Sequence, residues 1–104
     1  MAEIFKALAD PTRRKVLDLL KSGPMAAGDL AGHFAVSGPT MSAHFKILKE
    51  ADLIHAERQG KQINYHLKLS VLEDALLGFA DQFNLLSDQP RKKAQKNTKK
   101  VRPA

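Results

Sequence analysis

Up to Leu53 the apolar residues of this chain recur at three- and four-residue intervals; beyond it they alternate with polar ones, and past Ser70 the longer interval returns. That pattern predicts a run of helices, a hairpin and a last helix. Ala2 to Ala9 reads as a short helix with Ile4, Phe5 and Leu8 on one face. Asp10 is placed to cap a second helix that starts at Pro11, where proline loses no intrahelical bond, and whose inward stripe is Val16, Leu17 and Leu20. Gly23-Pro24 ends it, and Ala27 to Phe34 follows as a helix with Leu30, Ala31 and Phe34 inward.

The next helix is the best defined. Ser37 can accept a hydrogen bond from an amide two or three residues on, and Pro39 sits in the first turn. At roughly 100° per residue, Met41, Phe45 and Leu48 fall within about 60° of one another and form an inward stripe. Pro39, Thr40, Ala43, Lys46 and Ile47 lie opposite, with Ser42 and His44 on the flanks. This outward surface of short polar and methyl groups suits contact with base edges.

After Leu53 the strands Ile54 to Arg58 and Gln62 to Leu67 flank a Gln59-Gly60-Lys61 tip, where Gly60 tolerates positive φ. Arg58, Lys61 and Gln62 gather there. Ser70-Val71-Leu72-Glu73 reads as a capping box, followed by Leu72, Leu76, Phe79, Phe83 and Leu86 at spacings of four, three, four and three. Such a seam either packs on the first helix as ordinary core or is covered by a second copy of the chain. A recognition-type helix followed at once by a hairpin is the order of a winged helix-turn-helix, so the expected fold is mainly α, with five helices and a two-stranded wing.

Three stretches carry a more specific likeness: Phe5-Lys6-Ala7-Leu8-Ala9-Asp10-Pro11-Thr12-Arg13-Arg14, then Ser42-Ala43-His44-Phe45-Lys46-Ile47-Leu48-Lys49-Glu50-Ala51-Asp52-Leu53-Ile54, and Glu57-Arg58-Gln59-Gly60-Lys61 in the wing. With the helices between and after them they span roughly residues 1 to 86, and the chain resembles the ArsR family of winged-helix repressors, within it the SdpR-type autorepressors. Ala26 departs from the resemblance, standing where many relatives have a capping threonine or serine. The resemblance implies a sequence-specific transcriptional repressor that binds double-stranded DNA, with contacts from Ser37, Pro39, Thr40, Ser42, Ala43, His44 and Lys46 on the helix and from Arg58, Gln59, Lys61 and Gln62 on the wing. It also implies a homodimer in which first and last helices meet across a two-fold axis, through Ile4, Phe5, Leu8, Leu72, Leu76, Phe79 and Phe83. Two recognition helices then face half-sites about 34 Å apart, so the operator is expected to be an imperfect palindrome.

The signal is less legible. Family metal sites use cysteine pairs before the turn or Asp and His ligands on the last helix; this chain has no Cys, and its last helix carries Glu73, Asp74 and Asp81 without a His. No metal site and no cofactor are expected. His33, His44, His55 and His66 recur every 11 residues but fall on different elements, and the spacing reads as coincidence, because a metal site needs convergence. Resemblance to the SdpR-type autorepressors implies instead a sequestering membrane protein as a partner. His44 is open between a helix-flank hydrogen bond and a DNA contact. Arg13 and Arg14, facing an unfavourable dipole in a first helical turn, call for an anion: a carboxylate for one and a DNA phosphate for the other.

Composition changes the picture at one point. The net charge of +6 suggests nucleic acid, but of 17 basic residues seven (Arg91, Lys92, Lys93, Lys96, Lys99, Lys100, Arg102) lie beyond Pro90, leaving ten against 11 acids in residues 1–89. Residues 1–89 are expected to form one DNA-binding and dimerisation domain. Residues 90–104, nearly free of apolar side chains, are expected to be a disordered basic tail that solubilises the chain, attracts phosphates without sequence preference, or does both. Without cysteine, an apolar run near 18 residues or a signal peptide, the chain is expected to be cytoplasmic. An enzyme is excluded on inventory, since the chain holds no glycine-rich phosphate loop, Gly-x-Ser-x-Gly or His-Glu-x-x-His. The alternative is a winged-helix interaction adaptor, whose recognition surface is expected to be acidic or strongly apolar; here it is neither.

Overall fold

The protein is described here by a computed structural model covering residues 2–85. In chain order these form α1 (Ala2–Leu8), α2 (Pro11–Leu20), β1 (Met25–Ala26), α3 (Ala27–Ala31), α4 (Gly38–Glu50), β2 (Ile54–Gln59), β3 (Gln62–Leu67) and α5 (Leu69–Gln82). The five helices and the hairpin are those the hydrophobic spacing predicts. The chain divides within α5, one unit running up to Glu73 and a second beginning at Asp74.

In the first unit the predicted stripes become the core. Val16, Leu17 and Leu20 of α2, Leu30 of α3, and Met41, Phe45 and Leu48 of α4 are all buried, together with Leu53, Ile54 and Tyr65. Removing each large side chain from water contributes about 1.5–3 kcal/mol, which is what holds these short helices in place. In α1 the buried position is Ala7, between the expected face residues, while Ile4 and Leu8 pack only partly against the core. A methyl group there lets α1 approach its neighbours closely. Ile47, expected on the outward side of α4, is likewise partly buried against the core.

Three boundaries move for local reasons. α3 ends at Ala31 rather than Phe34: Ala26 supplies no capping oxygen, and Gly28 and Gly32 are poor helix formers. α5 starts at Leu69, with the Leu72 amide donating to the Lys68 carbonyl, so Ser70 lies inside the first turn and is not the predicted cap. The hairpin tip is a two-residue turn, Gly60-Lys61, because Gln59 pairs with Gln62; Gly60 adopts φ 63° there. Glycine at the first central position fits the right-handed twist of the strands.

α4 closes with a Schellman arrangement that aims the chain into the wing. Asp52 takes φ 62°, its amide donates to Lys49 carbonyl at 2.9 Å, and the Leu53 amide donates to Leu48 carbonyl at 3.1 Å. Leu48 and Leu53 are both buried, the apolar contact that accompanies this motif. The sheet has one more strand than expected: β1 pairs antiparallel with β3, Met25 opposite Tyr65, giving the order β1-β3-β2. Two residues are too short a run for alternation to reveal.

Candidate nucleic-acid interface

α4 presents a continuous exposed row. Ser37 accepts from the Thr40 amide at 3.3 Å and donates to the Thr40 hydroxyl at 2.9 Å, which fixes the first turn as the cap predicts. Ser37, Pro39, Thr40, Ser42, Ala43 and Lys46 are all exposed, on the side away from Met41, Phe45 and Leu48. No acidic residue stands in the first turn, so the positive end of the helix dipole is not neutralised there.

His44 departs from this row. Its side chain is only 14% exposed, with Nδ1 4.0 Å from Asp10 and 3.1 Å from the Nη1 of Arg13. A guanidinium can only donate, so Nδ1 accepts and the ring proton sits on Nε2. Of the two readings left open for His44, the geometry of its Nδ1 matches the hydrogen bond on the helix flank. The reason lies in α2, which brings a basic side chain against that flank from 31 residues away.

The same arrangement answers the question posed by the two arginines. Arg13 donates through Nε to the Ala7 carbonyl at 2.8 Å and through Nη2 to the Lys6 carbonyl at 3.0 Å; Arg14 donates through Nη1 to the Leu8 carbonyl at 2.7 Å. Both guanidinia are thus met by the C-terminal end of α1, whose carbonyls carry the negative end of the helix dipole, and Arg13 also lies within electrostatic reach of the Asp10 carboxylate. Asp10 caps α2 by accepting from the Thr12 and Arg13 amides at 2.8 and 3.2 Å. Desolvation pushes its carboxyl upward, but those amides together with the Arg13 charge outweigh it and hold the group below its ordinary range.

Beside α4 the wing is exposed from His55 to Gln62. Its register separates residues that the tip pattern grouped. Arg58 shares a face with Ile63, whereas Gln59 and Gln62 lie on the other face with Glu57 and Asn64. On that second face Asn64 donates to Gln59 at 2.7 Å and accepts from Gln62 at 3.0 Å, a side-chain chain across the hairpin that sequence reading missed. Lys61 stands at the turn. His55 and His66 are cross-strand partners with rings stacked 4.7 Å apart. A two-residue turn at Gly60-Lys61 makes partners of any positions equally distant from it. His66 Nε2, shielded from solvent, lies 2.9 Å from Glu57 Oε1 but out of line for a hydrogen bond. Among the described residues no group of three or more His, Cys, Asp or Glu is placed to hold a metal ion.

The residues expected at a dimer surface divide into two kinds. Ile4, Leu8 and Leu72 are partly buried and pack against the core of their own protomer, and Phe5 is half-buried. Leu76, Phe79 and Phe83 are exposed, with the two phenyl rings 4.9 Å apart. Leu77 and Leu85, outside the predicted seam, are exposed as well. Leu86 and the basic segment 90–104 lie outside the described residues.

A short helix held by its inner face, offering a capped, acid-free first turn and a polar row, followed by an exposed hairpin, defines a winged helix-turn-helix of the DNA-binding class. Residues 8–57 match a helix-turn-helix domain family. The chain is 53% identical over 76 residues to the transcriptional repressor SdpR of Bacillus subtilis, covering 73% of this chain and 84% of that protein. A crystal structure of an ArsR family transcriptional regulator superposes with a TM-score of 0.74 at 31% identity, over 85% of this chain and 91% of that one. A homodimeric winged helix-turn-helix DNA-binding domain from Mycobacterium bovis superposes at 0.65 with 28% identity, over 88% and 86%. The chain belongs to the ArsR family of winged helix-turn-helix transcriptional repressors, close to SdpR. It is accordingly a DNA-binding repressor and not an enzyme, and the adaptor alternative is set aside.

Proposed function

We propose that the protein represses transcription as a homodimer that occupies a palindromic operator and so blocks polymerase. The observation that carries this reading is the exposed row on α4: Ser37, Pro39, Thr40, Ser42, Ala43 and Lys46 offer hydroxyls, methyls and one cation at the scale of base edges, on a helix whose other face is buried. Arg58, Gln59, Lys61 and Gln62 of the wing then lie along the sugar-phosphate backbone or the minor groove, setting register rather than sequence. Leu76, Phe79 and Phe83 of α5, exposed here, pair with their copies across the two-fold axis, and Ile4, Phe5, Leu8 and Leu72 contribute to dimerisation as well. The homodimeric neighbour from M. bovis supports that assembly.

Residues 1–89 act as the DNA-binding and dimerising domain and residues 90–104 as a basic tail adding phosphate attraction. The protein works in the cytoplasm; no helix among the described residues is long and apolar enough to cross a membrane. For the signal, we propose relief of repression by a sequestering membrane protein, which the resemblance to SdpR-type autorepressors suggests. The test is a nuclease footprint on the DNA upstream of the protein's own gene. Two protected half-sites related by a dyad, about one helical turn or a multiple of it apart, are expected. Protection without a dyad, or none, refutes the reading. The double variant Phe79→Glu/Phe83→Glu should sediment as a monomer or an unfolded chain and lose the paired protection.

A further inference from the structure

We infer that Arg13 is a positioning residue for base reading: its guanidinium ties the last turn of α1 to the flank of α4 and so sets the angle at which the recognition row meets DNA. The inference rests on the assignment of base contacts to α4. Arg13 is planar and forked, and every arm of the fork is occupied: Nε on the Ala7 carbonyl, Nη2 on the Lys6 carbonyl, Nη1 on His44 Nδ1, at 2.8, 3.0 and 3.1 Å. Lysine, with a single ammonium on a flexible stem, cannot span the two helices in this way. The arginine is itself held, because its own amide is one of the two that Asp10 caps.

Along α4, the link lies one position before Phe45, a core anchor, and one position after Ala43, in the exposed row. A rotation of α4 that broke the link therefore moves the base-facing row directly. Hydrogen bonds to base edges weaken steeply with misalignment, whereas attraction to phosphates does not depend on such angles. The signature of a positioning role is a loss confined to the specific component of binding. The groups facing His44 in this corner are Asp10 and Arg13, so one substitution on either side of the link isolates it.

The experiment measures affinity by fluorescence anisotropy for two duplexes of equal length, one from the region footprinted upstream of the protein's own gene and one of random sequence. Arg13→Lys and His44→Ala are each expected to weaken binding to the upstream duplex about tenfold, leave the random duplex within about twofold, and combine without further loss. His44→Asn, whose side-chain oxygen can accept where Nδ1 did, is expected to restore binding to within about threefold, a rescue that a change in general stability does not produce. Thermal melts verify that each variant is folded. Additive losses, equal losses on both duplexes, or failure of His44→Asn to rescue while His44→Ala is impaired would overturn the inference, as would His44→Ala binding like the wild type. If the wild type itself does not distinguish the two duplexes, the assignment of base reading to α4 fails, and the positioning role with it.

Discussion

The two elements placed to meet DNA are held in opposite ways. α4 is anchored along its whole length by Met41, Phe45 and Leu48 and tied at its flank through His44, so its exposed row is carried on a packed support. The wing is anchored mainly toward its base, by the buried Ile54 and Tyr65, the latter with its ring 4.6 Å from that of Phe45, and by the partly buried Ile63 and Leu67. Further out, its order rests on the hairpin register and on exposed side-chain bonds among Gln59, Asn64 and Gln62. Bonds in water contribute little net stability, so the tip is free to adapt. A packed support suits contacts that depend on angle, and an adaptable one suits contacts with a uniform backbone.

The sharpest way to break this contrast is to loosen the support of α4. Leu48→Ala, at a position with no exposure, should cost about 2–5 kcal/mol in denaturant unfolding. Ile63→Ala, in the half-buried part of the wing, should cost distinctly less. Equal losses would mean that the wing is as firmly built in as the helix.

A smaller effect tests the division of labour on DNA. Lys46→Ala or Ser42→Ala should cost about 1–3 kcal/mol of specific binding with the fold intact. Lys61→Ala or Arg58→Ala should weaken all duplexes alike and lower the salt slope by about one. Sequence selectivity lost through Lys61, with none lost through Lys46 and Ser42, would reverse the roles.

The smallest effect concerns the cap behind the His44 link. Asp10→Asn keeps a good cap and removes the charge. Because the folded protein holds the Asp10 carboxyl below its ordinary value, the stability it contributes is fully present above that value and is lost as pH falls through the lowered one. Wild type should therefore exceed Asp10→Asn in thermal midpoint at neutral pH, with the gap closing only below about pH 4. A gap that stays constant down to pH 2 would remove the carboxylate's charge from the account.

What the sequence determined by itself is what depends on neighbours in the chain. The stripes of α2 and α4, the caps at Asp10 and Ser37, and the two strands of the hairpin follow from period and local hydrogen-bond chemistry, and all stand in the fold. Residues that meet across the fold were not legible in this way. Arg13 and His44 are 31 positions apart, and nothing in either segment shows that α1, α2 and α4 converge on one guanidinium. Likewise, His55 and His66 become stacked partners only once a two-residue turn sets the register, and β1 exists only because β3 offers it an edge. Periodicity records which face of an element is apolar; the partner that each remaining polar group finds depends on how the packed elements are oriented, and only the tertiary structure decides that.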